Sequence, residues 1–202
     1  MQEVIRIYKH PKNETETHFL LKEISKYILF GWGYNRIGTE VNGMYSYDNN
    51  RVKGKDFKKI IDAVGVKKCK KKLPNSRYYE HYYDVKGIEA KASLSDFKNG
   101  YCCGCAYTYI ICPINTIPID LLPNHIGLIE VDLDKFELPK RSQLISDITG
   151  VKLTKRAKKK IDSRFKTEEA YKKWCADVLE DVAYRSTSEL LFWRNYIEFS
   201  KK

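Results

Sequence analysis

The chain has 202 residues, with 37 Lys and Arg against 26 Asp and Glu, a formal net charge of +11. That length supports one sizeable core, and 43% hydrophobic residues exclude a disordered or collagen-like chain. A basic surface concentrates polyanions, so nucleic acid is the expected partner; the longest apolar runs, such as Tyr107 to Cys112, are strand-sized, which argues against a membrane partner. Residues Met1 to Lys12 lack the apolar stretch and cleavage site of a secretory signal, and six cysteines at irregular spacing suit reduced thiols. A cytoplasmic protein is expected.

Val4, Ile5, Ile7 and Tyr8 alternate as a short strand or arm would. From Glu14 the spacing turns helical, with Leu20, Ile24, Tyr27, Ile28 and Gly31 on one stripe, and Gly31-Trp32-Gly33 predicts its end. Glu16 and Glu23 edge that stripe, either facing a site against a sheet or standing as exposed helix acids. Ile37 to Tyr47 reads as a first strand and Phe57 to Val66 as a second, β-branched one that holds a single acid, Asp62, among apolar residues. Lys67, Lys68, Lys70, Lys71 and Lys72 then lead into Pro74-Asn75-Ser76 and the rings of Tyr78, Tyr79, Tyr82 and Tyr83. This stretch reads as an insertion at the mouth of a site, its lysines meeting phosphates and its rings stacking on bases, or else as a solvated charge run.

In Gly87 to Asp96 strand alternation aims Glu89 and Lys91 to one side while Ile88, Ala90 and Ala92 pack on the other. Ser93 or Ser95 can cap a helix through Asp96 and Phe97, followed by the crowded Cys102, Cys103 and Cys105. Tyr107 to Cys112 predicts a fourth strand, Ile117 to Pro123 a short helix or loop, and Ile126 to Val131 a fifth strand. Val151 to Lys160 is either a lysine-protected edge strand or a phosphate-contacting arm. Helices follow from Thr167, with Tyr171, Trp174, Cys175 and Val178 on the apolar face, and from Ser186 to Phe199. The order predicts an α/β fold: a mixed sheet of about five strands flanked by helices over residues 1–160, with 161–202 as a helical extension packed on that core.

Asp62, then Glu89-Ala90-Lys91, then Ser93-Leu94-Ser95-Asp96-Phe97, resembles the PD-(D/E)XK nuclease superfamily. The likeness is to small phage and bacterial nuclease-like domains, and it runs from about Thr15 to Asp132, with Ile61 where the superfamily's name has Pro. The resemblance implies a restriction-endonuclease-like fold and hydrolysis of DNA in repair, recombination or processing, with RNA or a homodimer as further options. It implies Mg²⁺ or Mn²⁺ held by Asp62, Glu89 and the carbonyl of Ala90, with Lys91 serving the attacking water and Glu16 or Glu23 completing the site. Ser93 and the lysine run would touch the nucleic acid. Such chemistry needs a cation because nucleophile and transition state are both anionic.

Three readings compete with this one. Asp84 is a rival first acid, though it lies in the polar, aromatic stretch. A module of the same fold can bind nucleic acid with little cleavage. A zinc-stabilised interaction protein would use Cys102, Cys105 and Cys112 with His125 or Cys69, but a second finger-like half-site is missing. The four histidines are scattered and offer no obvious base.

Overall fold

A computed structural model describes residues 15–43, 46–47, 59–102, 105–137, 144–160, 167, 169–175 and 178. The predicted arm around Val4 to Tyr8, the helix from Ser186 to Phe199 and Cys103 lie outside the described residues. Helix α1 spans Glu16–Gly31; Thr15 caps it by accepting the His18 N–H, and Glu16 places a negative charge in its first turn. The strands are β1 (Arg36–Gly43), β2 (Ser46–Tyr47), β3 (Lys59–Lys72), β4 (Tyr79–Ala90), β5 (Tyr101–Cys102), β6 (Tyr107–Pro113), β7 (Gly127–Val131) and β8 (Val151–Lys155), with helix α2 (Leu94–Lys98) between β4 and β5.

The fold is mixed α/β. Six strands form one sheet in the order β1-β3-β4-β6-β7-β8, antiparallel except at β4/β6 and β6/β7. The sixth is β8, so the basic segment after Val151 begins as an edge strand. Its Lys155 ammonium is already given to the carbonyls of Leu122 and Pro123. Leu21, Ile24, Ile28 and Leu29 of α1 pack with Ile88, Ala90, Ile111 and Ile129 of the sheet. At Gly65 an added Cβ would stand 2.9 Å from the Tyr34 ring and 3.0 Å from Leu29, so the lack of a side chain lets the end of α1 press on β3. Tyr171, Trp174, Cys175 and Val178 are buried with Val64, Val66 and Val85 in a second cluster.

The lysine run is not an insertion. Strand β3 continues through it and pairs with the tyrosine-rich start of β4 from Ala63↔Ile88 out to Lys72↔Tyr79, closing at a turn where Asn75 takes the left-handed φ of 54°. Among the described residues, no helix is long and apolar enough to cross a membrane.

Candidate active site

The register Ala63↔Ile88 makes Asp62 and Glu89 neighbours across the β3/β4 hairpin. Asp62 Oδ2 accepts the Ala90 N–H at 2.8 Å, which fixes the carboxylate against β4. Lys91 Nζ lies 3.4 Å from Glu89 Oε1 and 3.6 Å from Asp96 Oδ1. Glu89 Oε1 also accepts the Cys102 N–H at 3.1 Å, whereas its Oε2 is buried with no hydrogen-bond partner. Glu89 and Lys91 are each 6% exposed, so two ionisable groups have been taken from water and one acceptor left unsatisfied. Burial, then the negative charge of Asp62, push the Glu89 carboxyl up to about 8, against the opposing pull of Lys91 and the Cys102 N–H.

The backbone is shaped at this level too. The β1/β3 ladder pairs Thr39↔Ala63 and Val41↔Ile61 but omits Glu40 and Asp62 between them, and Glu40 has φ of 53°. A non-glycine residue in that region costs energy, and here it coincides with the gap in the ladder. Glu40 turns instead to an ion pair with Lys22 of α1.

A cleft of about 780 Å³ opens here, walled by Thr15, His18, Phe19, Lys22 and Glu23 of α1, by Thr39, Glu40 and Asp62 of the sheet, and by Ala92, Ser93 and Asp96 at the start of α2. His18 stands between two acids: Nε2 is 3.6 Å from Asp62 Oδ1 and Nδ1 is 3.5 Å from Asp96 Oδ2. Burial raises the Asp96 carboxyl, but His18, Lys91 and the Ala92 N–H outweigh it and hold it below the ordinary range.

Asp62, Glu89 and Lys91 are therefore brought together, and Ala90 lies between them in the chain. Glu23 lines the cleft, paired with Lys26 at 2.8 Å, while Glu16 is exposed in the first turn of α1 and outside the lining. Ser93 caps α2 by accepting the Asp96 N–H at 3.1 Å and lines the same cleft. The lysine run stands elsewhere. Lys70 is eight positions along β3 from Asp62, roughly 27 Å at strand rise, so it is not at the cleft mouth. Asp84 is engaged away from the cleft by the Tyr34 hydroxyl at 2.6 Å.

His18 and Asp96 were missed as site residues, although a signal existed. Thr15, His18, Phe19, Lys22, Glu23 and Lys26 recur at the i, i+3, i+4, i+7, i+8, i+11 spacing of one helical face, opposite the apolar stripe. Among the described residues no group of three or more His, Cys, Asp or Glu side chains is arranged to hold a metal ion. Cys102 and Cys105 pack in one apolar cluster and Cys112 in another, so the three thiols do not share one cluster, and burial pushes the Cys112 thiol up to about 12. Comparison of the chain with protein-family models, with curated proteins and with solved structures finds no match.

Proposed function

We propose that the chain is a metal-dependent nuclease of restriction-endonuclease-like build that hydrolyses phosphodiester bonds in DNA. The observation that carries this reading is the bare, buried Oε2 of Glu89 beside Asp62, with the Lys91 ammonium on the other oxygen. A small hard cation fits that donor set, because Mg²⁺ needs only one or two carboxylates and takes its remaining ligands from water and substrate phosphate. Asp62, Glu89 and the carbonyl of Ala90 would hold it. When bound, such an ion neutralises the scissile phosphate and makes its water more acidic.

The chain's own groups have distinct parts in this reading. Lys91 adds a second positive charge at Glu89 and can orient a water there. His18, set between Asp62 and Asp96, can hold a proton on the cleft wall, and Glu23 is the nearer of the two helix acids to the cleft. Glu89 must be ionised to act as a ligand, and its raised proton affinity is what a nearby cation reverses.

A second reading is that the same cleft binds nucleic acid with little cleavage: among the described residues no three His, Cys, Asp or Glu side chains are grouped to hold a metal ion. A panel of labelled single-stranded, duplex, flap and junction DNAs with Mg²⁺ or Mn²⁺ tests the choice. Products that vanish with chelator and in Lys91→Ala are expected. Binding to the panel with no product in either metal would favour the second reading.

A further inference from the structure

Beyond Val66 and Val85, the last pair buried on both strands, β3 and β4 leave the sheet as a two-stranded ribbon. On one side β1 pairs no further than Arg36↔Val66, and on the other β6 starts only at Lys86↔Tyr107. Six cross-strand pairs, from Lys67↔Asp84 to Lys72↔Tyr79, then carry the ribbon to its turn. Opposed residues share a face of an antiparallel pair, so the register sorts the charges. One face presents Lys67 with Asp84, Cys69 with Tyr82, and Lys71 with Glu80; Glu80 is further paired with Lys172 at 3.2 Å. The other presents Lys68 with Tyr83, Lys70 with His81, and Lys72 with Tyr79, without a single carboxylate. Lys68, Lys70, Lys72 and Tyr79 are exposed, and the Lys70 ammonium stands 5.2 Å from the Tyr79 ring centroid.

Lysines that only protect edge strands from aggregation have no reason to segregate by face. Here two lysines meet two acids on one face, and three lysines meet none on the other. Same-face lysines two residues apart are spaced by about 6.8 Å, close to two base-pair steps along a DNA strand. A two-stranded ribbon also fits a major groove about 12 Å wide.

We propose that the face carrying Lys68, Lys70, Lys72, Tyr79 and His81 grips duplex DNA in its groove, at a distance from the cleft that Asp62 lines. Six to ten residues of strand separate Asp62 from these lysines, roughly 20–34 Å. At 3.4 Å per step the grip falls about 6–10 base pairs from the cleft, so the preferred substrate is a duplex of at least that reach. That the duplex is a substrate rests on the nuclease reading; the grip does not.

The test compares two variants of the full chain that lose the same charge from the same ribbon: Lys68→Gln with Lys70→Gln, and Lys67→Gln with Lys71→Gln. Affinity for a labelled duplex of about 30 base pairs is measured in chelator across salt concentrations. The slope of log affinity against log salt should fall by about 1.8 in the first variant, 0.9 for each phosphate that is no longer neutralised, and little in the second. Equal slopes in the two variants would overturn the face assignment, and an equal loss on single-stranded DNA would overturn the groove. Cleavage is scored separately with metal. A face-specific slope without products keeps the grip and removes the nuclease reading, and products with a face-independent slope do the reverse.

Discussion

Glu89 and Glu130 are both 6% exposed, on strands of one sheet, and they have opposite surroundings. Glu130 on β7 is satisfied at both oxygens: Oε1 accepts the Asn115 N–H at 2.9 Å, and Oε2 accepts the Thr154 hydroxyl with Lys152 at 3.9 Å. Glu89 on β4 shares one oxygen between Lys91 and a backbone N–H and leaves the other bare. A buried acid is thus not in itself the mark of a site. Glu130 ties β8 and the loop after β6 to the sheet, whereas the unused acceptor of Glu89 is stable only while its carboxyl keeps a proton or gains a cation.

The largest effect that would sharpen this contrast is on cleavage. Asp62→Asn, Glu89→Gln and Lys91→Ala should each lower metal-dependent turnover by roughly 10²–10⁴-fold. Calorimetric titration should show metal binding weakened in the first two and retained in Lys91→Ala. Glu130→Gln and Asp84→Asn should keep the wild-type rate per folded molecule; a dead Glu130→Gln beside an active Glu89→Gln would invert the comparison.

The next effect is on stability against pH. The Glu89 carboxyl is raised from 4.5 to about 8, so between those values the folded protein holds a proton that the unfolded chain has released. This contribution is full below about 4.5 and is lost as pH rises toward 8. As an upper bound it is on the order of 5 kcal/mol in the metal-free protein. Urea midpoints in chelator should therefore fall from acid to mildly alkaline pH, and Glu89→Gln should flatten that trend. A pH dependence unchanged by Glu89→Gln would place its origin at other groups.

The smallest effect is at Glu130. Truncation to Ala strips the acceptor from the Asn115 N–H and the Thr154 hydroxyl, at a cost of about 1–3 kcal/mol. In the metal-free state Glu89→Gln should cost less than this or raise stability, since it removes a disfavoured charge. Denaturation of the two variants side by side decides it.

Much of the sheet was legible because buried strands write themselves in β-branched residues. Ile126 to Val131 and Tyr107 to Cys112 predict β7 and β6 to within a residue, and the stripe from Leu20 to Gly31 predicts α1. The acid pair was legible too, because Asp62 interrupts an apolar run. The ribbon was not. Five lysines in six positions carry no alternation, and their strand form depends on a partner ladder that lies across the turn. The polar face of α1 that carries His18 was legible as a helix face, but its role was not, because that depends on the start of α1 lying over Asp62 of β3 and Asp96 of α2, a tertiary fact that helical spacing does not signal.

The turn at Pro74 to Arg77 also fixes how the chemistry is divided along the chain. His18 and Asp62 precede it; Glu89, Lys91 and Asp96 follow, and Arg77 is exposed at its tip. The tip lies beyond the buried pairs, so a chain break there leaves the ladder from Val66↔Val85 inward intact. Two separately made halves, residues 1–77 and 78–202, each hold part of the cleft and neither holds all of it. Mixed, they should co-elute as one species in native buffer and come apart in urea. The cleft would then exist only where the halves meet, which makes the molecule divisible into a complementing pair at this point.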